Sequence, residues 1–296
     1  MMYLALPHLQ VQQANALSTQ WMISLCPVMA AVLMSHALGR ALKVQPSGVA
    51  IIHHDAYLRA ESFGDDRHPH QFRASTYIDG DDYSSHSKDP TLSLQPTATM
   101  DLEWSLVLRF DEDLPERALR KVHTFLQRGR LAGGLIVDYR DPVLGYSLKG
   151  RSGGDRSNWG VIDRVVGGGH ILADRSSLLT GKGPHTRIDR LLALAGNDPD
   201  PEASGAQPFS GWLTPAVLGY ALTSSVESRA NVRNDLPHAY CEPMVGLVEY
   251  IGLRTLQEHP DLNPEDLFWR YSWPHEAAFM LDQDVDLPEL QSNPSQ

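Results

Sequence analysis

"LEWSLVLRF", Leu102 to Phe110, is the stretch on which the fold turns. Leu102, Trp104, Leu106, Leu108 and Phe110 alternate with Glu103, Ser105 and Arg109, the period of two expected of a strand with one buried face. The period then changes. In "LPERALRKVHTFLQRG", Leu114 to Gly129, the residues Leu119, Val122, Phe125 and Leu126 share one helical stripe, Pro115 suits a first turn and Gly129 a stop. The apolar run Leu135–Tyr139 follows as a further strand.

Upstream, "MYLALPHLQVQQ" sets Leu4 and Leu6 on one parity and Leu9 and Val11 on the other, with Pro7 between. That pattern predicts an edge-type strand bulged at Pro7–His8. "CPVMAAVLMSHALGRAL", Cys26 to Leu42, predicts a helix with Pro27 at its start and apolar residues nearly all round, hence covered on more than one side. "GVAIIHHDAYLRA" from Gly48 reads as a second strand, and Ser62 to Thr99, rich in Asp, Ser, His and Pro, as a long insertion.

The order is strand, helix, strand, insertion, strand, helix, strand. It predicts an α+β chain with a ferredoxin-like or RNA-recognition-motif core over 1–140, including the insertion 62–99. Residues 141–195 continue it with basic loops, a turn and strand at "VVGGGHILADRSSLL", and a short helix from Arg187 to Ala195. A Pro- and Asp-rich linker, 196–211, leads to a C-terminal α/β extension, 212–281, packing on the core, and 282–296 reads as a disordered acidic tail.

The 296 residues carry a formal net charge of -11, yet the charge is unevenly spread. Arg117 to Arg190 holds 14 Lys or Arg against 6 Asp, a block of +8, and the remainder is at -19. Such segregation suggests one face for a polyanion and another for solvent or a protein partner. No apolar stretch approaches the roughly 20 residues of a spanning helix, and the N-terminus lacks the basic start of a signal peptide, so we expect a cytoplasmic protein without membrane contact. Cys26 and Cys241 show no metal-ligand spacing and read as buried apolar residues.

Thirteen histidines invite an enzymatic reading, but none has a partner at an interpretable spacing. His53 and His54 would face opposite sides of a strand, HExxH and GxSxG are absent, and "GKG" at Gly181 lacks the spacing of a phosphate-binding loop. We expect no catalytic residue, metal or cofactor. Two stretches look better suited to binding. "QRGRLAGGLIVDY", Gln127 to Tyr139, sets Arg128 and Arg130 beside Gly133 and Gly134, either a phosphate-approaching bend or a helix stop and tight turn with solvated arginines. Gln12, Gln13 and Asn15 close the first strand with amides that could meet base edges or sugar hydroxyls, or could cap a strand-to-helix turn.

Taken in order, "LPHLQVQQANA", "HALGRAL", "GVAIIHH", "RLAGG", "GGGHILADRSSLL", "GWLTPAVLGY" and "VRN" ahead of "VGLVEYIGL" resemble the second Csy protein family, a Cas-five-type backbone subunit of type I-F CRISPR surveillance (Cascade) complexes. The resemblance runs from Leu4 to about Tyr271. It implies a non-catalytic, RNA-recognition-type subunit that caps the five-prime handle of the CRISPR RNA. Its implied partners are the large subunit, the adjacent repeated backbone subunit and, through the assembled complex, target DNA.

Under that resemblance Arg130, Gly133 and Gly134 match the family's loop after the second helix, and Gln12, Gln13 and Asn15 its amide-rich strand end. Arg233 and Asn234 fall on its "VRN". The insertion matches a thumb-like hairpin on which Arg67, His70, Phe72 and Arg73 would meet guide RNA, although Asp65, Asp66, Asp79, Asp81 and Asp82 lie there too. Two other readings remain open: a metal-independent endoribonuclease that processes precursor guide RNA with a histidine base, and a protein-only scaffold.

Overall fold

The computed structural model describes residues 1–64, 66–71, 73–78, 91–94, 97–115, 117–145, 159–180, 186–195, 212–228, 236–257 and 264–283. In chain order the first half is β1 (Met2–Asn15), α1 (Val28–Leu42), β2 (Gly48–Leu58), β3 (Ala60–Phe63), β4 (Asp66–Pro69), β5 (Arg73–Ile78), β6 (Thr91–Leu94), β7 (Thr99–Phe110), α2 (Ala118–Leu126), β8 (Arg130–Leu131), β9 (Gly134–Asp138) and β10 (Val143–Gly145). The second half is α3 (Trp159–Val166), β11 (His170–Asp174), a 3-10 turn (Ser176–Leu179), α4 (Arg187–Ala195), β12 (Trp212–Leu222), β13 (Cys241–Gly252), α5 (Leu253–Gln257), a second 3-10 turn (Pro264–Leu267), β14 (Arg270–His275) and β15 (Ala278–Asp282).

One large antiparallel sheet organises the chain, in the order β14-β15-β12-β13-β11-β2-β7-β1-β9-β8, with β10 also on β1. The insertion forms the hairpins β3–β4 and β5–β6 off this sheet. Two expectations need correction. The first strand is not an edge, because β7 lies on one side of it and β9 and β10 share the other. Pro7 is tolerated inside the sheet because it stands at a bulge, where the ladder is interrupted between Leu6 and Leu9 and the Pro7 carbonyl accepts from Arg140 N–H at 3.0 Å. The C-terminal extension is also not α/β: β11, β13, β12, β15 and β14 lengthen the same sheet, every pair antiparallel.

The bulges explain the broken parity of β1. One extra residue at His8 (φ +52°) and another at Gln13 (φ +55°) reset the side-chain alternation. Leu4, Leu6, Leu9, Val11 and Ala14 thereby all reach one core, beneath α1 and α2. Trp104 and Phe110 of β7 are fully buried there, and Trp104 donates its indole N–H to His53 Nδ1 at 3.1 Å. Nine of the fifteen residues of α1 are buried, so its apolar girth is matched by cover from α2, β2, β8 and β12.

On the opposite face Tyr3, Ala5, Ala50, Ile52 and Val107 pack under Ile162 and Val166 of α3 and Leu253 and Leu256 of α5. The middle of β7 is therefore buried on both sides, and Ser105, expected on a polar face, is fully enclosed. Further along, Leu191 of α4 packs with Leu179 and Leu247. The guanidinium of Arg175, which counted toward the basic block, is buried against Glu249 with Nε to Oε2 at 2.6 Å. Cys26 is buried as expected, whereas Cys241, opening β13 at the rim of the sheet, is exposed.

Candidate nucleic-acid interface

The segment "RLAGG" is a two-residue hairpin turn. Leu131 pairs with Gly134, and the residues between them, Ala132 (φ +49°) and Gly133 (φ +78°), both take the left-handed conformation of a type I′ turn. Asn15 N–H reaches over to the carbonyl of Ala132 at 2.7 Å, tying the turn to the end of β1. The two glycines do different work. Gly133 is exposed with open space where a side chain would go, whereas Gly134 is buried and a β-carbon there would sit 2.6 Å from the Ala14 nitrogen. Arg130 is exposed, and its Nη1 donates to the Gly133 carbonyl at 2.9 Å, which holds the guanidinium over the turn.

A basic stripe runs into this turn. Arg117, Arg120 and Arg128 are exposed and Lys121 half-buried along the solvent side of α2 and its C-terminal end. Among the described residues none of these four, nor Arg130, has a carboxylate within ion-pairing distance.

The amides divide. Gln12 is exposed and paired with Leu135, which is paired in turn with Arg130, so all three share one side of the sheet. Gln13 is a bulge residue whose N–H donates to Asp101 Oδ1 at 3.0 Å. Asn15 closes a local loop, its Nδ2 donating to the Leu17 carbonyl at 3.0 Å and its Oδ1 accepting from Leu17 N–H at 3.2 Å, which is the turn-capping role. In the insertion Arg67 and His70 are exposed, and His70 Nε2 lies 4.0 Å from Glu61. Arg73 lies on β5. Phe72, Arg233 and Asn234 fall outside the described residues.

Among the described residues α3 and α5 cover one part of the sheet face opposite α1, and another part is uncovered. It carries Gln10 and Gln12 of β1, Asp101 and Glu103 of β7, Asp55 and Tyr57 of β2, and Val137 of β9 around a shallow cavity of about 260 Å³. RNA-recognition sheets stack bases on aromatic side chains. Here the two central strands offer amides and carboxylates instead, and the exposed ring is Tyr57 at the flank. Asp101 is held by Arg59, with Nη2 to Oδ2 at 2.9 Å, and Glu103 by His8 Nδ1. A phosphate chain crossing mid-sheet would meet these carboxylates, so the favourable path is along the β8–β9 edge under the arginines.

Sequence reading missed the histidine pair behind this face. The ring of His54, extruded at a bulge in β2, stacks on that of His8 at 4.2 Å, and its Nε2 lies 2.6 Å from Ser105 Oγ. Burial first, and then the neighbouring charge of His8, pushes the His54 imidazole down to about 4, and burial followed by His170 does the same for His53. The signal was present as two bulge-forming histidines, but nothing in linear order pairs them. Among the described residues no group of three metal-ligating side chains gathers, and no helix is long and apolar enough to cross a membrane. Compared with known families, residues 4–281 match the model described as CRISPR-associated protein (Cas_Csy2). No curated protein matches the chain.

Proposed function

The chain belongs to the Cas_Csy2 family, the Csy2 protein of type I-F CRISPR systems and a subunit of their Cascade complex, and we propose that in it this subunit caps the five-prime handle of the CRISPR RNA. The observation that carries this reading is the basic stripe from Arg117 through Arg128 to Arg130, which has no carboxylate in ion-pairing range among the described residues and ends on a turn whose exposed glycine lets a phosphate approach closely. Gln12 and Leu135 lie beside it to meet a base or sugar.

The core is read as ferredoxin-like: β2, β7, β1 and β9 are neighbours in that order and antiparallel, with α1 and α2 on one face. The subunit acts without catalysis: in the His8–His54 cluster His8 Nδ1 is engaged by Glu103 and His54 Nε2 by Ser105, which is sealed from solvent. It pairs with the large subunit, adjoins the first repeated backbone subunit, meets target DNA through the assembled complex and works in the cytoplasm. The insertion serves as its thumb.

The test is photocrosslinking from single handle nucleotides in the assembled complex. Crosslinks to the α2–β9 segment support the cap. Crosslinks confined to other subunits overturn it in favour of a protein-only scaffold, and discrete cleavage of precursor RNA by the purified subunit would restore the nuclease.

A further inference from the structure

The uncovered part of the sheet face opposite α1 holds side chains that a phosphate path along the β8–β9 edge does not use. Their places follow from the strand register. Asp55 of β2 pairs with Glu103 of β7, which pairs in turn with Gln10 of β1. Two residues along, Tyr57 pairs with Asp101, and Gln12 stands two on from Gln10, so a second row lies on the same face. All of them line the cavity of about 260 Å³. With strands about 4.8 Å apart and about 3.3 Å per residue, the two rows frame an area of about 10 Å by 7 Å, enough for one planar base.

The polar groups there fall into two sets. Asp101 and Glu103 are already engaged from the protein side: Arg59 Nη2 lies 2.9 Å from Asp101 Oδ2, Gln13 N–H donates to Asp101 Oδ1, and His8 Nδ1 meets Glu103. Asp55, Gln10, Gln12 and Tyr57 are exposed, and among the described residues none of their side chains makes a hydrogen bond or ion pair. The accessible set is thus one carboxylate, two amides and an aromatic ring that is 63% exposed.

Such a set suits the edge of a base. An ionised carboxylate only accepts, so it fits an amino group and repels a carbonyl oxygen. An amide both donates and accepts, so it meets the ring nitrogen or carbonyl next to that amino group. An exposed tyrosine offers a stacking face to whichever base lies beside it.

We propose that this cavity receives one base of the bound RNA and selects a base with an exocyclic amino group against uracil. Asp55 is the discriminating acceptor, Gln12 the second contact and Tyr57 the stacking ring. That the base belongs to the guide's handle rests on the cap reading above. The layout is compatible with it: Gln12 pairs with Leu135 and Leu135 with Arg130, so the arginine edge stands two strands, about 10 Å, from the rim of the cavity. Phosphates held along that edge can turn their bases over the sheet, away from contact between phosphate and carboxylate.

The test titrates the full chain with labelled all-cytosine and all-uracil oligoribonucleotides of equal length, followed by fluorescence anisotropy at one fixed salt concentration. Cytosine carries an amino group where uracil has a carbonyl oxygen, and the two are otherwise close in size and shape. The parent is compared with Asp55→Asn, Tyr57→Ala and Arg130→Ala. Asparagine keeps the size of aspartate and adds a donor that uracil can use.

The parent should bind the cytosine oligomer on the order of tenfold more tightly. Asp55→Asn should bring that ratio to roughly one with an unchanged melting temperature, since Asp55 is exposed, and Tyr57→Ala should weaken both oligomers alike. Equal affinity of the parent for the two, or a preference that survives Asp55→Asn, overturns the proposal. Arg130→Ala tells that failure from failure of the cap. If it weakens both oligomers while the parent shows no preference, only base selection is lost, and the cavity is left to a cationic side chain of a neighbouring subunit. If the parent binds neither oligomer, or Arg130→Ala changes neither, the cap reading falls as well.

Discussion

His8 and His54 stack ring on ring, 4.2 Å apart and 18° from parallel, although 45 residues separate them in sequence and a third strand, β7, runs between theirs. Each is the extra residue of a bulge, and the two bulges flank Ser105, whose Oγ accepts from His8 N–H at 2.9 Å and lies within bonding range of His54 Nε2. Paired bulges thus turn two rings out of their strands onto one another.

That arrangement predicts an acid-side loss of stability. His53 and His54 titrate near 4 in the fold and near 6.5 when unfolded, so below the unfolded value the unfolded chain binds protons that the folded chain refuses. Stability is therefore full above about pH 6.5 and falls as pH drops toward about 4. Urea midpoints across that window should decline in the parent and decline less in His54→Gln. Equal slopes would show that His54 is not charged on unfolding.

The two glycines of the hairpin turn should separate cleanly. Gly133→Ala meets open space and only the strain of φ +78°, costing about 1 kcal/mol, and Gly133→Asn less. Gly134→Ala drives a methyl into the Ala14 backbone and should cost about 2–3 kcal/mol. Thermal melts of the three variants check the ranking; similar losses at 133 and 134 would refute the close approach of β9 to β1.

Arg130→Ala should reduce the slope of log affinity against log salt by about 1, weakening binding alike for handles of different base sequence. Because Arg130 is exposed, its melting temperature should hold. A loss confined to one handle sequence would instead make Arg130 a base reader.

The ion pair of Arg175 and Glu249 should be costly to break. Both are nearly enclosed, at 3% and 5% exposure, and burial raises the Glu249 carboxyl even with the guanidinium pulling it down. Glu249→Gln removes the carboxylate from beside a buried cation and should lower stability by about 1–3 kcal/mol, read as a shift in the denaturant midpoint. The double change Arg175→Met with Glu249→Leu should recover much of it.

Local order along the chain was legible because period and punctuation are local properties. The alternation in Leu102–Phe110, the stripe of α2 ending before Gly129, and the parity break at Pro7–His8 each announced an element that the fold contains. Arg130 and Gly133 could be picked out for the same reason, since a turn and the charge beside it are contiguous.

What only the tertiary structure decided is which distant segments share a sheet. Long-range strand pairing depends on which edges remain free after local elements form, and no periodicity encodes it. The interior place of β1, the antiparallel growth of the sheet from β2 into β11 and β13, the exposure of Cys241 and the burial of Arg175 all follow from that pairing. So does the stacking of His8 on His54 beside Ser105, three residues from three strands that meet only where their backbones converge.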